Sequence, residues 1–144
     1  MTDNEHSILS SNLFFLSSAL ARRLTTEANE QFAQFGLSGS HALLLILIDD
    51  RPNIQPSHLA QKLVLKPSTI TRLVNKLERR KLIVRNSKGR SSHITCTSKG
   101  KELVTALHQK WNELIDTKKQ ELGDRYTSVL TELMQDTLQN VISD

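Results

Sequence analysis

A mainly α-helical chain with one small β-hairpin is predicted here, on three observations. Apolar residues recur at steps of three and four along most of the 144 residues. One pair of short β-prone segments, residues 82–86 and 93–97, breaks that period around a polar, glycine-containing turn. Just before the pair, Pro56 and Pro67 are placed to open two short helices joined by a tight turn. The expected order is helix, helix, short strand, helix, helix, strand, wing, strand, helix, helix: a winged helix-turn-helix.

Each element has its own signal. Between residues 7 and 35, Leu9, Leu13, Leu16, Leu20, Leu24 and Ala28 mark one long amphipathic helix. At about 40 Å it is longer than one small core can cover. Part of its stripe, with Phe14, Phe15, Phe32 and Phe35, is therefore expected to meet a second subunit. Gly36 stops the helix and Ser38 can cap the next. Residues 42–48 are apolar all round, which suits a buried strand or a buried helix; the serine cap and the Asp49-Asp50-Arg51-Pro52 exit favour helix. Pro52-Asn53 turns the chain, Ile54 offers a short strand, and Pro56 opens a third helix over residues 57–65. Lys66-Pro67 ends it and starts a fourth, running to about residue 81. After the hairpin, whose turn spans residues 87–91, Thr97 or Ser98 can cap a helix from Lys99 to about Leu122. Gly123 ends that one, and Asp124 begins a last helix with Tyr126, Val129, Leu130, Leu133, Thr137 and Val141 at its apolar positions.

At 16.3 kDa, with 38% hydrophobic and 24% charged residues, the chain has the size and composition of one soluble domain. A single cysteine, Cys96, excludes an internal disulfide and fits a reducing cytoplasm. The N-terminus is acidic before its apolar patch, the wrong order for an export signal. The longest uncharged stretch, residues 31–48, is polar in its first half, so no membrane span is expected. The net charge of +4 conceals a division. Residues 58–101 hold twelve basic residues against one acid, Glu78, a balance of +11; the remainder has seven basic and fourteen acidic residues, a balance of −7. A basic middle on an acidic scaffold is the electrostatic footprint of a polyanion-binding module.

Unrolled at 100° per residue, the fourth helix has an apolar back of Ile70, Leu73, Val74 and Leu77. Ser68, Arg72, Asn75 and Arg79 fall opposite, flanked by Thr69, Thr71 and Lys76. Arginine can pair bidentately with guanine, asparagine with adenine, and hydroxyls can bond bases or phosphates, as a helix in a major groove requires. A merely soluble face would mix charge signs. At the hairpin tip, Lys88 and Arg90 flank Gly89, the pattern of a basic turn that enters a minor groove.

The run from Leu65 through Ser68-Thr-Ile-Thr-Arg-Leu-Val74 to Arg85, followed by the hairpin and Thr97-Ser-Lys-Gly100, resembles the MarR family of winged-helix transcriptional regulators. The resemblance covers nearly the whole chain. It implies a homodimer, with residues 1–36 and 99–144 as dimerisation helices and residues 38–98 as the DNA-binding region of one domain spanning 1–144. It also implies a repressor acting on a pseudo-palindromic double-stranded operator. Members often bind small aromatic or phenolic effectors, for which Phe14, Phe15, Phe32, Phe35, His41 and Trp111 are candidates, although aromatic residues at helical spacing more often form plain core. Two positions depart from the family. Its wing commonly carries Asp-Arg-Arg where this chain has Lys88, Gly89 and Arg90, so only Arg90 carries over as the minor-groove residue. The glycine usual before the first wing strand is Lys81.

The DNA-contacting set expected from these patterns is Ser68, Thr69, Thr71, Arg72 and Asn75 for bases or adjacent phosphates, Lys76 and Arg79 for the backbone, and Lys88 and Arg90 for the wing. The alternative is a winged-helix architectural or adaptor protein that binds DNA without sequence choice, or an acidic protein. Cys96 shares a strand face with Ile94 and reads as a buried, inert thiol. His6, His41, His58, His93 and His108 form no metal-ligand spacing, with His41 and His58 expected as polar helix-surface groups. No phosphate loop, nucleophile elbow or Ser/His/Asp arrangement points to an enzyme or a cofactor.

Overall fold

The computed structural model describes residues 8–88 and 91–142, with the backbone alone at Lys88 and Ile142. Its helices are α1 (Leu13–Phe32), α2 (Gly39–Asp50), α3 (Pro56–Leu63), α4 (Pro67–Arg79), α5 (Ser98–Leu122) and α6 (Asp124–Ile142). The strands β1 (Ile83–Lys88) and β2 (Ser91–Cys96) pair antiparallel, Ile83 opposite Cys96 and Lys88 opposite Ser91.

The long first helix expected over residues 7–35 is interrupted. Asn12 adopts an extended backbone and caps α1, its side-chain oxygen accepting the Phe15 N–H at 2.9 Å. The apolar period runs through this break, because a period of three and four does not register a residue that competes for backbone hydrogen bonds. At the other end α1 tightens into a single 3-10 turn (Ala33–Phe35), and Gly36 closes it in the left-handed region at φ 68°. The strand expected at Ile54 is a single bridge to Ile94. Asn53, at φ 63°, and Pro56, the first residue of α3, leave no length for a ladder. Both prolines occupy first-turn positions of their helices, where their missing N–H costs nothing.

Two compact units divide the chain, Met1–Leu107 and His108–Asp144, with the boundary inside α5. The first holds the core. α2 packs on α1, α3, α4 and β2, and α4 on β1. Phe32, Leu44, Leu45, Ile48, Leu59, Ile70, Leu77, Leu82, Ile83, Ile94 and Leu107 are fully buried there. On α1, Leu13, Phe14, Leu16, Leu20 and Leu24 stay exposed, Phe14 by 83%. The second unit comprises the rest of α5 and α6, whose Tyr126, Val129, Leu133, Leu138 and Val141 are all exposed. Among the described residues no single helix is long and apolar enough to cross a membrane.

The turn between α3 and α4 carries strain. Val64 caps α3 in the left-handed region (φ 54°, ψ 48°), where a β-branched side chain is crowded, and half of that side chain lies in solvent. Val64→Gly is expected to raise stability by about 1 kcal/mol, read as a higher urea midpoint at constant slope. A fall in midpoint would mean that the packing of Val64 outweighs its backbone.

Candidate nucleic-acid interface

All four residues assigned to the apolar back of α4 are buried, so the helix is fixed in rotation and its opposite side must face outward. Ser68, Thr71, Arg72 and Arg79 are exposed there, while Thr69, Asn75 and Lys76 are half-buried at its edges. Thr71 turns its hydroxyl back to the Pro67 carbonyl at 3.0 Å. The seven predicted residues of this helix thus lie on one continuous outer surface. Glu78, the only acid in α4, is paired with Arg85 of β1 at 3.4 Å, and Arg85 also donates to the Asn75 Oδ1 at 2.9 Å. Sequence patterning missed Arg85, because only the register of β1 beside α4 brings it across to residues ten and seven positions earlier.

The start of α2 meets the same helix. Ser38 and His41 form a capping box: the His41 N–H donates to Ser38 Oγ at 3.2 Å, and the Ser38 N–H donates to His41 Nδ1 at 3.2 Å. Ser38 Oγ lies 2.6 Å from the same ring nitrogen. Nearby, Arg80 donates to the Phe35 carbonyl at 2.6 Å, and Asn29 Oδ1 accepts the Gly39 N–H at 2.9 Å. His41 is therefore not the helix-surface group its sequence position implied; tertiary packing half-buries the ring. Burial, followed by the charges of Lys76, Arg72 and Arg80, pushes its pKa from 6.5 down to about 4.

That depression links stability to pH with a definite sign. As pH falls, the unfolded chain takes up this proton first, so the contribution is complete above about 6.5 and lost progressively toward about 4. Gln at this position keeps a capping acceptor without titrating. His41→Gln is expected to flatten the stability profile across that window by about 1–2 kcal/mol, allowing for solvent screening at a half-exposed ring. Denaturant midpoints at pH 7 and 4.5 test this; equal pH dependence in both proteins would remove His41 from the linkage.

The hairpin is anchored at its base. Thr97 accepts the Gly100 N–H at 3.1 Å, capping α5, and donates its hydroxyl to the Lys81 carbonyl at 2.7 Å. The Thr97 N–H donates to the Leu82 carbonyl at 3.0 Å, and a Cβ on Gly100 would stand 2.1 Å from that carbonyl oxygen. The spacing Thr-x-x-Gly is thus a cap plus the close approach of α5 to the residue before β1. Lys81 sits at φ 60°, which explains in backbone terms why a glycine suits that position. His93 on β2 places its Nδ1 3.0 Å from the Asn53 carbonyl, tying the hairpin to the turn before α3. Of the predicted wing residues, Arg90 and the side chain of Lys88 lie outside the described residues.

Cys96 is half-buried, its Sγ 3.8 Å from the Leu45 carbonyl, and burial, with a smaller contribution from Asp49, raises its pKa to about 11. A thiol held protonated is a poor nucleophile. The candidate aromatic set does not form one cluster: Phe32 is core and packs against Phe35 with ring centroids 6.2 Å apart, whereas Phe14 points into solvent. His58 and His108 are exposed.

A family model described as MarR family matches residues 35–90, which span α2, α3, α4 and β1. The transcriptional repressor MprA of Escherichia coli is 29% identical over 126 residues, covering 78% of this chain and 72% of that protein. The crystal structure of CouR from Rhodococcus jostii RHA1, bound to p-coumaroyl-CoA, is 25% identical, covers 92% of this chain and 93% of its own, and superposes with a TM-score of 0.77. A Staphylococcus aureus MepR–DNA complex, 20% identical, shares the fold with a TM-score of 0.78 over 90% of this chain and 98% of that one.

Proposed function

We propose that the chain is a member of the MarR family of transcriptional regulators, whose family model matches residues 35–90, and that it is a homodimeric repressor that reads double-stranded DNA and is released by a small-molecule effector. One observation carries the DNA reading: the outer face of α4 gathers Ser68, Thr69, Thr71, Arg72, Asn75, Lys76 and Arg79 on a helix whose other side is locked into the core. Arginine and asparagine on such a helix match the donor and acceptor patterns of base edges, and Lys76 and Arg79 neutralise the flanking backbone. Arg90 and Lys88 of the wing reach the adjacent minor groove. The DNA complex of MepR, a protein of the same fold, supports DNA as the partner.

Residues 1–36 and 99–144 serve as the dimerisation helices, and residues 38–98 as the DNA-binding region. The exposed apolar residues of α1 and α6 support the assignment, since apolar area on this scale needs a partner. Two copies place two α4 helices about one helical turn, roughly 10 bp, apart on a pseudo-palindrome. The effector is a small aromatic or phenolic molecule, a reading supported by p-coumaroyl-CoA in CouR. It acts by favouring a dimer whose two α4 helices have the wrong spacing. The protein works in the cytoplasm and catalyses no reaction.

Selection of random duplexes by the purified protein at roughly physiological salt, followed by sequencing, tests this reading. A pseudo-palindromic consensus is expected. A retained pool without consensus would make it an architectural protein, since phosphate binding alone carries no sequence information.

A further inference from the structure

We propose that Arg85 is a positioning residue for base recognition: it holds the Asn75 amide with its oxygen turned toward β1, so that Asn75 offers hydrogen-bond donors to the duplex. This rests on the DNA reading proposed above and names what sets its specificity at one position. Arg85 spans two residues of α4 from a neighbouring strand. Its Nη2 donates to Asn75 Oδ1 at 2.9 Å, and its Nε lies 3.4 Å from Glu78 Oε2.

The chemistry of the pair selects one orientation. A guanidinium has donors only, so the asparagine must present its oxygen to it; the flipped amide would set donor against donor. The Glu78 carboxylate holds another part of the planar fork, which restrains Arg85 from following the amide if it turned. An adenine edge asks an asparagine for an acceptor and a donor together, the oxygen to N6–H and the nitrogen to N7. With the oxygen turned to Arg85, the amide nitrogen remains, and it suits an edge made of acceptors, which is guanine with N7 and O6. The same contact neutralises Glu78, the one acid on a helix that approaches phosphate.

The test is duplex selection and sequencing with the full chain as wild type, Arg85→Met, Arg85→Lys, Asn75→Ala, and Asn75→Ala combined with Arg85→Met. Wild type is expected to disfavour adenine at one position of each half-site, by about 5- to 150-fold. In Arg85→Met the amide is free to turn, and preference at that position moves toward adenine while the others keep theirs. Arg85→Lys retains the charge but loses the rigid planar fork that fixes the amide and Glu78 from two separate nitrogens, so it shifts the same position as Met, to a smaller extent, while keeping the wild-type salt dependence. In the Asn75→Ala background, Arg85→Met adds no change in preference. A fold defect would alter all positions, so the single-position shift in the lysine variant is the discriminating signal. Equal weakening on every duplex, with the slope of log K against log salt shallower by about one, would make Arg85 a phosphate contact and overturn the proposal. So would a shift that persists without Asn75. No consensus in wild type would instead remove the sequence-reading function itself, a result distinguishable from either.

Discussion

Gly100→Ala is expected to cost about 3 kcal/mol of stability or more. The added Cβ would lie 2.1 Å from the Leu82 carbonyl oxygen, well inside any real carbon–oxygen contact. Neither side can yield cheaply. The carbonyl already accepts the Thr97 N–H at 3.0 Å, and the Leu82 side chain is fully buried. On the other side, the Gly100 N–H is held by the Thr97 hydroxyl, which also bonds the Lys81 carbonyl. Relief therefore requires the first turn of α5 to move off the base of the hairpin, breaking the cap or the strand junction. Urea denaturation should show the loss, and thermal unfolding a drop of roughly 10 °C. Lys101→Ala, at an exposed neighbouring position, should stay within about 0.5 kcal/mol. A Gly100→Ala loss below about 1 kcal/mol would mean that α5 slides freely on the hairpin.

Arg72→Ala should have the largest effect on DNA binding, about 1–3 kcal/mol on the preferred duplex. Arg72 stands on the exposed side of α4, away from the buried Ile70, Leu73, Val74 and Leu77. None of the described hydrogen bonds or ion pairs engages its guanidinium within the chain. A planar fork that is free and outward-facing can pair with guanine N7 and O6 without first breaking an internal contact. The expected signature is local: preference flattens at one base pair of each half-site, and the salt dependence changes little. Competition binding against duplexes substituted one base pair at a time would show it. A uniform loss on all duplexes, with a shallower salt slope, would assign Arg72 to phosphate instead. Thermal unfolding of the variant at about pH 7 should match the wild type, because an exposed side chain that none of the described hydrogen bonds or ion pairs engages contributes little to the fold.

The sequence was sufficient for most of what depends on short-range pattern. The serine before α2, the prolines at the first turns of α3 and α4, the threonine before α5 and the glycine after it act within one helical turn, and each stands where a cap or stop is observed. The rotation of α4 was also legible, since four apolar residues at a period near 3.6 define which side is buried before any neighbour is known. The outer surface followed from that rotation. The break at Asn12 was not read, because a capping asparagine inside a continuous apolar stripe looks like one polar residue among several.

Tertiary structure alone decided what depends on residues distant along the chain. Arg85 reaches Asn75 and Glu78 because β1 folds back beside α4, and residue spacing does not encode which side chains a strand will aim at a helix. His41 changes from a surface group to a half-buried cap under three cations for the same reason. Gly100 owes its size limit to a carbonyl eighteen residues earlier. Capping and amphipathic period are local energies written in consecutive residues. Orientation of an amide, depression of a histidine pKa and the closeness of two backbones are set by packing, which exists only once the chain has folded.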